Sequence, residues 1–141
     1  MKIMKNVISI LIATVVMSLA VGCCSCRKGK NNKPLVGTEW QLMRMMGQDV
    51  DVDDTQFVFQ FSADGSFSGV GACNRMMGNY STTEKRDIKF GALAGTRMMC
   101  PKVNLEAEFT KIVGQVTHYD IDGDMLLLFS NGELHAVFKA K

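Results

Sequence analysis

The chain has little of what catalysis ordinarily needs. Its only histidines are His118 and His135. No serine or cysteine beside them sits in a recognisable nucleophile turn, and no glycine-rich phosphate loop occurs. Triads assemble in space rather than in sequence, so a hydrolase is not excluded, but nothing recommends one. No catalytic residue is assigned and an enzyme is not expected. A run long enough to cross a bilayer is also missing: the apolar stretch from Val7 to Val21 is broken by Ser9, Thr14 and Ser18 and falls short of the roughly 20 residues a spanning helix requires. Cysteine is scarce where a fold would use it, since after Cys23, Cys24 and Cys26 only Cys73 and Cys100 remain. Basic excess is missing as well. Of the 16 lysines and arginines, Lys2, Lys5, Arg27, Lys28, Lys30 and Lys33 all precede the first of the 14 acidic residues, so the rest of the chain is net acidic. Nucleic-acid binding thereby loses its electrostatic support.

The N-terminus has the order of an export signal. Lys2 and Lys5 precede the apolar run, which ends at Gly22-Cys23. Leu19-Ala20-Val21-Gly22-Cys23 resembles a bacterial lipobox, with Ala20 where that pattern prefers leucine. The expectation is a lipoprotein signal peptide over 1–22, lipid on Cys23, and a basic tether over 23–34 that anionic headgroups would attract by about 1 kcal/mol per cation. A soluble spacer would read the same way. Cys24 and Cys26 receive no role. The membrane reached through this anchor is expected to be the outer membrane, with the domain facing the periplasm.

Residues 35–141 suffice for one small domain. Phe57, Phe59 and Phe61 share one face at period two, and Asp64-Gly65 offers a hairpin turn to the Ser66–Gly71 strand. Gly69 and Gly71 on one face suggest a close backbone approach. Short strands follow at 80–83 and 88–90. Val116–Ile121, Met125–Phe129 and Leu134–Phe138 read as a meander turned at Asp122-Gly123 and Asn131-Gly132. The run Met125–Phe129 is apolar on both faces, which predicts a central strand covered on each side. One helix is expected, capped by Asn104, with Glu106 and Glu108 in its first turns, Leu105, Phe109, Ile112 and Val113 on one stripe, and Gly114 at its end. His118 and His135 alternate out of phase with apolar neighbours and are expected on the less buried strand faces.

Cys73 and Cys100 each adjoin an Arg-Met-Met triplet. In an exported domain two cysteines usually pair, closing a loop of roughly 26 residues worth about 3 to 4 kcal/mol. Reduced thiols, or a soft-metal site with Met76, Met77, Met98 and Met99, remain alternatives. The acidic stretch Asp49–Asp54 fails the calcium-loop pattern, with Asp54 in place of glycine and Gln60 in place of glutamate, and no metal is assigned. Arg75 and Arg97 read as ordinary surface cations. The 43–54 loop, with Met45 and Met46 at its start, would suit a small inhibitor or protein-binding module if its apolar residues are exposed.

Gly37-Thr38-Glu39-Trp40, Phe61, Gly65, Gly71-Ala72-Cys73-Asn74, Gly78-Asn79-Tyr80, Ile88, Thr96 to Cys100, Glu106, Phe109, Tyr119 and Leu126 together resemble the META domain family of HslJ-like bacterial envelope proteins. The resemblance implies an α+β, mostly β fold: antiparallel strands curled into a half-open barrel with one packed helix. It implies no cofactor, a link to heat shock and stress tolerance, and motif positions at Cys73, Asn74, Gly78, Tyr80, Thr96 and Cys100. The expected function is non-enzymatic envelope maintenance, with an envelope protein as a possible partner.

Overall fold

The computed structural model describes residues 31–141; the expected leader, Cys23, Cys24, Cys26 and the expected tether up to Lys30 lie outside the described residues. The elements are β1 (Glu39–Met45), β2 (Gln48–Asp49), β3 (Val58–Phe61), β4 (Ser66–Val70), β5 (Arg75–Thr82), β6 (Ile88–Phe90), β7 (Ala94–Gly95), α1 (Val103–Val113), β8 (His118–Asp122), β9 (Met125–Ser130) and β10 (Glu133–Ala140). The strands form an antiparallel sheet in the order β6-β5-β4-β3-β1-β10-β9-β8, with β2 added to β1 and β7 to β5. The sheet curls until its two end strands touch: Ile88 N–H donates to the Thr117 carbonyl (3.0 Å) and Tyr119 N–H to the Arg86 carbonyl (3.0 Å). Only the isolated bridge Asp87–His118 joins them there, so the barrel stays half open.

Turn chemistry explains the hairpins. Asn131 (φ 49°) and Gly132 (φ 87°) supply the two left-handed residues of a tight β9–β10 turn. At the β3–β4 turn the Ser66 hydroxyl and N–H donate to the Asp64 carboxylate (2.6 and 2.8 Å), holding that group below the usual carboxylate range.

Period-two alternation puts Trp40, Leu42, Phe59, Phe61, Phe67, Leu126, Leu128 and Phe138 inside the barrel. α1 fills its open side. Phe109 stacks on Phe59 with ring centroids 4.7 Å apart and meets Phe57 edge-on at 5.7 Å. Burying such a ring contributes about 2–3 kcal/mol. Gly69 is where two strands come closest. A Cβ there would lie 2.1 Å from the Val58 carbonyl oxygen and 2.8 Å from the Phe59 Cα, both backbone atoms. Gly69→Ala is therefore expected to part β3 from β4 and destabilise the domain by roughly 3 kcal/mol, measured by urea unfolding.

Three sequence expectations change. Asn104 does not cap the helix: α1 begins two residues earlier than such a cap would set, Lys102 occupies the cap without a side-chain bond, and Val103 N–H donates to the Cys100 carbonyl (3.1 Å). The tie at Cys100 fixes where the helix starts. His135 is buried, because the register of β10 against β9 shifts between Leu134 and Ala136 and the bulge turns His135 inward. Its Nδ1 has no hydrogen-bond partner. Finally, β9 is central, between β10 and β8, but its apolar residues are buried on one side alone: Leu126 and Leu128 are inside, whereas Met125, Leu127 and Phe129 are half-buried on the outer face. The helix packs on the inside, so it does not cover that outer face.

Candidate functional site: a polar clasp around Asn74 and Glu106

Between β4 and β5 the chain turns through residues 71–74, with Gly71 N–H donating to the Asn74 carbonyl (2.8 Å). Phe57 holds the turn from below: its N–H donates to the Gly71 carbonyl (3.1 Å) at the cost of a positive φ of 52°, uncommon for an aromatic residue. The turn points the N–H groups of Ala72, Cys73 and Asn74 at one spot. Such convergent amides make an acceptor cradle. Glu106 Oε2 sits in it, accepting from Ala72 (2.9 Å), Cys73 (3.4 Å) and Asn74 (3.2 Å). Gly71 makes the room, since a Cβ there would stand 2.5 Å from that oxygen.

Asn74 completes the arrangement and is itself 2% exposed. Its Nδ2 donates to Glu106 Oε1 (2.7 Å) and to the Met98 carbonyl (3.1 Å). Its Oδ1 accepts from the Thr96 hydroxyl (2.8 Å) and the Met98 N–H (2.7 Å). Both donors and both acceptor positions of one amide are thus used. Thr96 Oγ1 also accepts from the Arg75 N–H (3.1 Å), and Thr96 N–H donates to the Arg75 carbonyl (3.1 Å). Cys73 and Cys100 join the same two segments covalently, in a disulfide with Cα atoms 6.3 Å apart.

Three separate pieces of chain are therefore fastened at one point: the β4–β5 turn, the strap from Leu93 to Cys100, and the first turns of α1. Two more motif positions serve the same strap and its neighbouring turn. Gly78 lets the strap pass, because a Cβ there would lie 2.7 Å from Leu93 Cδ2 and 3.1 Å from the Ala92 carbonyl. Tyr80 donates its hydroxyl to the Ser62 carbonyl (2.9 Å) and packs edge-on against Phe61 at 4.9 Å, pinning the β3–β4 turn. Burial pushes the Tyr80 phenol up.

The family model for the META domain matches residues 33–141. The chain belongs to the META domain family. Solved structures give the same fold: an NMR structure of a protein from Burkholderia xenovorans has a TM-score of 0.61 at 23% identity, over 76% of this chain and 83% of that one. A crystal structure of a DUF4847 family protein from Bacteroides vulgatus has a TM-score of 0.60 at 17% identity, over 75% of this chain and 93% of that one. No curated protein matches the chain.

In this META domain the motif residues Asn74, Thr96, Cys73 and Cys100 meet at the clasp, while Gly78 and Tyr80 act beside it. Cys23 lies outside the described residues. Glu106, which the sequence places in the first helical turns and among the residues that carry the family resemblance, is the acceptor the clasp is built on. Its signal was available in the spacing: Glu106 lies three residues before Phe109 and seven before Val113, on the buried stripe itself, where an acid needs partners. Between the strap and α1 run two adjoining cavities of about 200 and 410 Å³, sharing Thr96, Arg97, Glu106 and Thr110. Arg75 and Arg97 are exposed, and of the triplets' methionines Met76 is buried whereas Met77, Met98 and Met99 are exposed. Among the described residues, no three His, Cys, Asp or Glu side chains gather as a metal-holding group. The acidic stretch carries ordinary bonds, with Arg44 Nε donating to the Asp49 carboxylate (2.8 Å).

Proposed function

We propose that the protein is a lipid-anchored, non-enzymatic envelope protein whose META domain helps maintain the envelope or tolerate stress. The observation that supports this most is the saturation of the clasp. Every polar atom of Asn74, and the Glu106 oxygens with four N–H donors between them, is engaged in joining segments of the chain, so the family's most specific residues serve to hold the fold. The lipobox-like sequence before Cys23 supplies the location. An exported location favours an oxidised Cys73–Cys100 pair in the mature protein. The test is the mass and fractionation of the mature chain. The expected result is an N-terminal peptide beginning at acylated Cys23 and a Cys73–Cys100 pair lighter by two hydrogens than two thiols. Cys23→Ser should move most of the protein from the membrane to the soluble fraction, because a protein without its acyl chains loses about 0.8 kcal/mol for each buried CH₂. An unprocessed N-terminus would sink the anchor reading. Two freely alkylated thiols would reopen the soft-metal one.

A protein-binding module is favoured by one specific feature. The β1–β2 hairpin turns on Met46 and Gly47, with φ of 49° and 78°, and Met46 is half exposed at its tip. A bulky apolar residue held left-handed in solvent is locally unfavourable and marks a place where a partner could be gripped. Cross-linking of the anchored protein in its native membrane, with recovery of one neighbour through Met46, would support this second reading.

A further inference from the structure

The β-meander has an outer face that its inner face does not explain. Register places Leu127 opposite Val137 and Phe129 opposite Leu134, while Leu126 and Leu128 lie across from Phe138 and Ala136 on the core side. On β1, Val137 is opposite Arg44, and the register shift beside it leaves Met43 outside. Met43, Met125, Leu127, Phe129, Leu134 and Val137 thus form an apolar strip on the outside of β1, β10 and β9. Val137 is buried without belonging to the interior cluster, so the strip packs on itself. Leu134 and Met43 protrude from it, 43% and 42% exposed. An apolar strip of this extent on a small domain marks a contact surface.

The path of the chain says what could cover it. Asn32 Oδ1 accepts from the Gly123 N–H (2.8 Å) and Lys33 N–H donates to the Gly123 carbonyl (2.8 Å), so the tether joins the domain at the β8–β9 turn, two residues from Met125. From Cys23 to Asn32 the chain can span roughly 30 Å at most. The intervening residues, with Arg27, Lys28 and Lys30, carry no apolar side chain able to cover the strip themselves. Lys33 sits where the tether meets the domain and Lys139 faces outward beside Met125, while Arg44, outward next to Val137, is paired with Asp49. The acids of this face are Asp120 and Asp122 on β8, where Asp120 pairs with Arg86, Asp49 on β2, which pairs with Arg44, and Glu39 at the start of β1.

We propose that this strip lies against the membrane, with Leu134 and Met43 at the boundary between headgroups and acyl chains and Lys33 and Lys139 among anionic headgroups. The anchor and the strip would then act as the two signals that stable membrane attachment by lipid requires. The proposal rests on lipidation at Cys23. It places the clasp, with its strap and the exposed Met99, on the side turned to the periplasm.

Methionine oxidation by hydrogen peroxide reads this directly, since Met43 and Met125 lie on the strip whereas Met77 and Met99 lie on β5 and the strap. The lipidated protein would be reconstituted in vesicles of phosphatidylethanolamine and phosphatidylglycerol and compared with the soluble Cys23→Ser form. The expected result is oxidation of Met43 slowed roughly threefold or more in vesicles, with Met77 and Met99 unchanged. Leu134→Glu should restore the Met43 rate while the protein still sediments with the vesicles. Equal Met43 rates in a protein that carries lipid and sediments would overturn the membrane-facing strip and leave the anchor standing. Failure to carry lipid at all would overturn both. Slowing that also occurs in the soluble form and rises with protein concentration would assign the strip to a second copy of the chain instead.

Discussion

Asn74→Asp is expected to destabilise the domain by about 4 kcal/mol, although it changes one NH₂ group to oxygen. The new oxygen would face Glu106 Oε1, now 2.7 Å from Nδ2, and the Met98 carbonyl, 3.1 Å away. Two donor–acceptor contacts become acceptor–acceptor contacts in a site 2% exposed to solvent. Turning the side chain over does not help, since the two carboxylate oxygens are equivalent: either way one accepts from Thr96 and Met98 N–H and the other meets Glu106 and the Met98 carbonyl. Thermal unfolding should show a Tm lower by at least roughly 16 °C, at the usual 4–8 °C per kcal/mol for a domain of this size. Combining Asn74→Asp with Glu106→Gln supplies a donor where the carboxylate oxygen stood. The pair should recover about 1 kcal/mol or more over the sum of the single changes. Additive losses would mean that Asn74 and Glu106 do not act through their mutual bond.

Removing the Cys73–Cys100 link by serine at both positions is expected to destabilise by about 3.5 kcal/mol. That is the loop-closure value for the observed separation of 27 residues. This loss originates in the unfolded chain, which gains freedom, whereas the Asn74 loss originates in the folded state. The two should therefore add in global unfolding. Locally they should not. With the disulfide intact the strap stays fastened at Cys100 even when Asn74 is changed. Without it, hydrogen exchange at the Thr96 and Met98 N–H groups should accelerate well beyond the global rate, because β7 pairs with β5 through only Met76–Gly95 and Met77–Ala94. Protection that survives both changes would show that the strap is held by its side-chain packing and not by the clasp.

Much of this fold is legible along the chain, because strands and turns are local. The triplet Phe57, Phe59 and Phe61, the turns at Asp64-Gly65 and Asn131-Gly132, and the stripe of Phe109, Ile112 and Val113 all carry their period in neighbouring residues. Gly69 and Gly71 announced close approaches, although not what approaches. The burial of His135 is not legible along the chain because a bulge shifts alternation by one residue, and nothing in Leu134-His135-Ala136 marks it. Asn104 has the chemistry of a cap, but the helix begins at the preceding turn, where Val103 N–H donates to the Cys100 carbonyl.

The sequence by itself determined the hairpins with their turns, the acidic balance of the domain, and the pattern that the META family shares. The tertiary structure alone decided that Asn74, Thr96, Glu106 and the turn at Gly71 meet. Their hydrogen bonds join residues 22 to 34 positions apart, and a chain pattern records spacing within an element but not which elements fold onto one another. It also decided which side of β9 lies outside the core, since a run apolar on both faces looks the same whichever side the helix packs against.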